Sequence, residues 1–128
     1  MYLLDTHAFI WLLSASKLLP PQLRQRLLND PPELYFSSIS GLEIALLIKR
    51  QRLSLPLSAA DFITKGLSHH HIHEIKVDWK IAVAASNLPD IHDDPFDRIL
   101  IATANLNGLT MITKDEIIPR YPVKTIWA

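Results

Sequence analysis

The chain has 128 residues, 48% hydrophobic and 20% charged, and its 13 basic and 13 acidic side chains leave no net charge. This is the size and composition of one folded domain, residues 1–128, rather than of a disordered segment. With no cysteine, disulfides and thiolate metal sites are excluded and a reducing, cytoplasmic setting is expected, while the zero balance excludes a broad electrostatic surface for nucleic acid. No stretch is long and apolar enough to span a membrane. Met1 to Leu13 is apolar but holds Asp5 and His7 and no basic leader, so it does not read as a signal peptide. Nucleic-acid contacts have to be local, around Lys49, Arg50 and Arg52 or around Arg24 and Arg26, unless those charges only form solvated helix faces.

Tyr2-Leu3-Leu4 reads as a buried strand ending at Asp5, and Thr6 is placed to cap a helix from His7 to Leu13. That helix turns Phe9, Leu12 and either Leu13 or Trp11 inward. Pro20-Pro21 opens a second helix over Gln22 to Asn29, closed by Asp30-Pro31-Pro32. Leu34-Tyr35-Phe36 is the second strand. Ser40-x-x-Glu43 has capping-box spacing and starts a helix to about Arg52, with Ile44, Leu47 and Ile48 on one side. Ser58 caps a helix from Ala59 to Gly66. Ile72 to Val77 alternates in the manner of a half-buried strand near a sheet edge. Asp78 caps a helix reaching Leu88-Pro89. Asp94-Pro95 then opens a helix whose apolar face is Phe96, Ile99, Leu100 and Ala104, ended by Asn107-Gly108. Leu109 to Thr113 is a strand, a short helix is expected from Lys114, and Val123 to Ile126 is the last strand.

Strands alternating with helices over short connections give a parallel sheet covered on both faces, an α/β/α sandwich with four to five short strands. In open sheets of this kind, sites form beyond the carboxyl ends of the strands. Asp5 ends the first strand, Glu43 follows the second, Asp115 lies two residues past Thr113, and Asp97 stands in the first turn of its helix. Each acid alone has a structural explanation as a cap or a partner of the helix dipole. Together they fall on one edge, where their mutual repulsion requires protons or cations. Oxygen ligands without cysteine point to Mg²⁺ or Mn²⁺ rather than zinc, and the matching chemistry is metal-assisted attack of water on a phosphodiester.

The blocks Asp5-Thr6-His7-Ala8-Phe9-Ile10-Trp11, Ser40-Gly41-Leu42-Glu43-Ile44-Ala45, Leu88-Pro89, His92-x-Asp94-Pro95-Phe96-Asp97-Arg98 and Thr113-x-Asp115 resemble the PIN domain. In particular they resemble the VapC-type ribonuclease toxins of type II toxin–antitoxin systems. The resemblance runs from the first residues to the last strand, and Asp-Pro-Phe-Asp-Arg is its most specific part. It implies an acidic pocket for one or two Mg²⁺ or Mn²⁺ ions and endonucleolytic cleavage of RNA, transfer and ribosomal RNA both fitting. By position, Asp5, Glu43 and Asp97 would form the catalytic, metal-binding core and Asp115 the fourth acid. Thr6 and Thr113 would be polar helpers. A cognate protein antitoxin and a homodimer are further implications. Two departures stand out: Leu42 occupies a place where this subgroup usually has tryptophan, and Glu116 competes with Asp115.

Other residues attract attention for less. His69, His70, His71 and His73 read as a solvated loop, because adjacent histidines do not converge on one ion. His92 is expected to hold the loop before Asp94, which mainly caps, and Asp93 to be dispensable. Arg98 would neutralise the pocket, contact a phosphate or form a structural ion pair. Trp11, Trp79 and Trp127 read as core or interface, since no spacing brings them beside the acids. Ile44, Leu47 and Ile48 are candidates for a dimer or antitoxin groove. Two other functions remain compatible with such a chain: a PIN-like binding module without activity, and a Mg²⁺-binding signalling receiver.

Overall fold

Short apolar runs alternate with capped amphipathic stretches, and the chain folds accordingly. The computed structural model describes residues 1–29 and 32–127; the helix-closing signal expected at Asp30-Pro31 lies outside the described residues. The strands are β1 (Tyr2–Leu4), β2 (Leu34–Ser37), β3 (His73–Ile75), β4 (Thr110–Ile112) and β5 (Thr125–Ile126). The helices are α1 (Thr6–Leu13), α2 (Pro21–Leu28), α3 (Ser38–Lys49), α4 (Ala59–His69), α5 (Trp79–Ser86) and α6 (Pro95–Asn107). The strands form one parallel sheet in the order β3-β2-β1-β4-β5.

That order starts in the middle, moves outward through β2 to the β3 edge, and crosses back to β4 beside β1. The reversal lies between β1 and β4, where crevices form in open α/β sheets. It also differs from the 2-1-3-4-5 order of the receiver fold, which removes the receiver reading.

Alternation along the strands separates two cores. Leu4, Phe36 and Ile112 meet Phe9 and Leu12 of α1, Leu23 and Leu27 of α2, and Phe62 of α4. Leu3 and Met111 meet Leu100, Ile101 and Ala104 of α6, together with Ile118 and Tyr121. A three-layer sandwich results, with α5 packed on α6 through Ile81, Ala85 and Ala102. Leu3, Leu4 and Phe9 are fully buried, each contributing roughly 1.5–3 kcal/mol relative to exposure. α4 approaches α1 so closely at Gly66 that a Cβ there would lie 1.9 Å from Leu13 Cδ2 and 3.2 Å from Phe9 Cζ.

Four local expectations are corrected. The cap of α1 is Asp5, and Thr6 is its first residue. The cap of α3 is Ser37, whose Oγ accepts from the Ile39 N–H, so the helix starts about one turn earlier than Ser40 suggested. No α-helix follows Lys114; the Asp115 carboxylate accepts from the N–H groups of Ile117 (2.6 Å) and Ile118 (3.0 Å), and a single 3-10 turn at Ile118–Arg120 follows. Ile44 is fully buried in the first core, so it is no part of a docking groove.

Candidate active site

The carboxyl ends of β1 and β4 open onto a cleft of about 440 Å³ lined by Asp5, His7, Trp11, Glu43, Asp94, Asp97, Lys114, Asp115 and Glu116. Asp5 is fixed twice, by its own N–H donating to the Ile112 carbonyl (3.1 Å) and by its Oδ1 accepting from the Ala8 N–H (2.8 Å). Glu43, in the second turn of α3, accepts from Thr6 Oγ1 at 2.5 Å, and the Thr6 and Ser40 hydroxyls lie 2.9 Å apart. Thr6 and Ser40 are both buried, so this polar pair ties α1 to α3 beneath the cleft. Thr113 Oγ1 accepts from the Asp115 N–H at 3.1 Å, which shapes the turn after β4. Asp94 Oδ1 caps α6 through the N–H groups of Phe96 (2.9 Å) and Asp97 (3.3 Å). His92 Nε2 lies 3.0 Å from Asp97 Oδ2.

Burial and crowding act on these acids in the same direction. Asp97 is pushed up to about 6, mainly by burial and then by the Asp94 charge, with Asp115 and Glu43 adding to the rise and His92 opposing it. Asp5 is raised above the ordinary aspartate value by burial, against hydrogen bonds from the Thr113 side chain and the Ala8 N–H. The negative charge of the pocket is therefore under-compensated by the protein alone. Among the described residues, His92, Asp94 and Asp97 offer donor atoms within 4.8 Å of one another. No such triple includes Asp5, Glu43 or Asp115, which line the same cleft more widely spaced. A set this rich in carboxylate oxygen fits a hard divalent cation.

All four acids singled out in the sequence meet at this cleft, and Glu116 is there beside Asp115. Arg98 does not line it. Its guanidinium donates to the carbonyls of Ala85 (2.9 Å), Leu88 (3.0 Å), Pro89 (2.9 Å) and His92 (3.3 Å), and lies 3.3 Å from the Tyr121 hydroxyl. Among the described residues it forms no ion pair; it pins the α5–α6 connection. Arg24 is likewise absorbed, donating to the carbonyls of Trp11, Leu12 and Ser16 at the end of α1. Trp11 packs against the first core, as expected, and in addition lines the acid pocket, with His7 and Lys114. Its position one helical turn after His7, on the helix that Asp5 caps, was the available signal. Asp94 has a double place, as cap and as pocket wall, that helix-start rules alone do not reveal.

Comparison with known proteins agrees with this architecture. Ribonuclease VapC22 of Mycobacterium tuberculosis is 29% identical over 115 residues, covering 89% of this chain and 86% of that protein. The structure of VapBC2 from Rickettsia felis, bound to a promoter DNA fragment, superposes with a TM-score of 0.71 at 16% identity, covering 98% of this chain and 96% of that one. A toxin–antitoxin complex from Klebsiella pneumoniae gives a TM-score of 0.63 at 23% identity, over 90% of this chain and 87% of that one. The PIN domain family profile matches residues 2–124. With its sheet order, its acid-lined cleft at the β1–β4 reversal and a profile match over nearly its whole length, the chain belongs to the PIN domain family.

Proposed function

We propose that this protein is a divalent-metal-dependent endoribonuclease, the toxin of a toxin–antitoxin pair. The observation that carries the reading is the convergence of Asp5, Glu43, Asp97 and Asp115 on one cleft, where burial first, and then the charges of Asp94, Asp115 and Glu43, raise the proton affinity of Asp97. These four are the residues that would hold one or two Mg²⁺ or Mn²⁺ ions. A bound cation there supplies neutralisation of the phosphate charge and a water of lowered pKa. The protein's own part is positional. Asp5 is held by the α1 N-terminus, Glu43 by Thr6, Asp115 by its turn with Thr113, and Asp97 by the Asp94 cap and His92. Because a cation competes with the proton on Asp97, metal binding there is expected to weaken as pH falls through about 6.

The relatives' names support the partner assignments. The similar solved structures are toxin–antitoxin complexes, and a protein antitoxin is the partner proposed here. Homodimerisation belongs to the same reading, with Trp79 and Val83 exposed one turn apart on α5 as apolar surface for a second copy. No helix among the described residues is long and apolar enough to cross a membrane.

The test is mapping of RNA 5′ ends after induced expression, beside cleavage of the same RNA by purified protein with Mn²⁺. Asp5→Asn and Asp97→Asn are expected to lose roughly 100- to 1,000-fold in rate, the scale of losing transition-state charge stabilisation, with the circular dichroism spectrum unchanged. Undiminished cleavage by the purified double variant would refute the assignment. Absence of Mn²⁺ or Mg²⁺ binding at millimolar concentration by calorimetry would instead favour an inactive binding module.

A further inference from the structure

We infer that Trp11, framed by His7 and Lys114, is a stacking platform for an unpaired nucleobase next to the acids. The inference rests on the ribonuclease reading and adds to it a residue that would engage a base of the substrate beside the acids. Trp11 follows Asp5 by six residues on α1, ~9 Å along the helix axis, and both side chains line the same cleft. The indole packs on the first core and is only partly buried there. Its ring centroid lies 5.6 Å from that of His7 at 51° and 5.8 Å from that of Trp127 at 68°. Two aromatic neighbours thus restrain the plane of the ring before any ligand arrives, which lowers the ordering cost of binding.

The charge pattern makes such a platform necessary. Among the described residues lining the cleft, Lys114 is the only lysine or arginine, and its Nζ lies 5.9 Å from the Trp11 ring. The protein as a whole has no net charge, so the usual electrostatic source of affinity for nucleic acid is weak. Base stacking on an aromatic face does not depend on charge and tolerates any base. The Lys114 ammonium stands over the indole, and a stacking base would displace it from the ring face toward the phosphate of the same nucleotide. A base paired within a duplex keeps both faces covered by its stacked neighbours, so neither face is free to lie on an indole. Only an unpaired base reaches the indole.

The decisive measurement is fluorescence anisotropy of a short labelled oligoribonucleotide, fully single-stranded, on protein carrying Asp97→Asn to suppress cutting. Trp11→Leu in that background is expected to weaken binding roughly 5- to 150-fold, the range for one aromatic–base contact, and Trp11→Phe to retain most of it. A set of oligonucleotides with one abasic position each is expected to contain a member showing the same loss on the Trp11 protein and no further loss on Trp11→Leu. Because the abasic series uses an unaltered Trp11, it stands even where the leucine variant misfolds. Equal affinity for every abasic member, or for Trp11→Leu in its folded state, would overturn the platform. Cleavage of the unmodified oligonucleotide by wild-type protein with Mn²⁺ is scored separately: its absence refutes the nuclease reading, whereas its presence with a silent Trp11 refutes this inference alone.

Discussion

Asp97 is held where its own charge is unwelcome. Its folded value near 6 exceeds the 3.8 of an ordinary aspartate, so between these values the folded chain binds more protons than the unfolded one. The stability contributed by this group is complete below about pH 4 and is lost as pH rises through about 6, amounting to roughly 3 kcal/mol. Asp5 is shifted in the same direction. Thermal scans in EDTA should therefore show the melting temperature falling over this window, against the usual benefit of ionised carboxylates. Asp97→Asn should flatten the fall and raise the melting temperature at pH 7.5. An unchanged pH profile in the asparagine variant would contradict it. The location of Asp97 was legible, because Asp94-Pro95 fixes where its helix begins. Its crowding by Glu43 and Asp115 was expected from the strand-end rule, whereas its burial and the approach of His92, which reaches it through a loop, were not legible.

At the level of elements, capping rules located Ser58, Asp78 and Asp94, and each accepts the expected backbone N–H. They failed in Ser37-Ser38-Ile39-Ser40, where three serines compete. The choice there is made by tertiary pairing: Ser37 still stands in the β2–β3 ladder opposite Ile75, while Ser40 is buried against Thr6. A comparable misreading produced a helix after Lys114, because an aspartate that satisfies two N–H groups looks the same whether or not a helix follows. Two substitutions separate roles in the α6 start. Asp94→Ala should cost about 1 kcal/mol in urea unfolding and Asp94→Asn much less, since asparagine caps equally well. Arg98→Lys should cost about 2 kcal/mol or more, because one ammonium cannot serve carbonyls fanned around a planar fork. It should also slow cleavage, by loosening the connection that carries His92; an unaltered rate would confine Arg98 to stability.

For the molecule as a whole, the parallel sheet and its helical layers were legible because strand and helix periods alternate so regularly. The packing between layers was not. Nothing in the sequence announces that Gly66 must lack a side chain because α1 lies against it. Gly66→Ala should destabilise by about 1–3 kcal/mol through overpacking, more than the gain in helix propensity offsets. Adding Leu13→Ala, which removes the atoms in the way, should recover part of that loss. Strictly additive melting temperatures would show that α1 and α4 adjust elsewhere.

The central place of β1 has a consequence for the order of synthesis. Of the five strands β1 is made first, yet both of its neighbours, β2 and β4, come later, and β4 much later. The sheet cannot close around it until the segment bearing Asp115 has emerged. Long-range parallel pairing of this kind forms late. A nascent chain thus carries Asp5 and Glu43 without Asp97 and Asp115, and the cleft is assembled only when translation has passed β4. Before that point the four acids proposed to act together are not yet in one place.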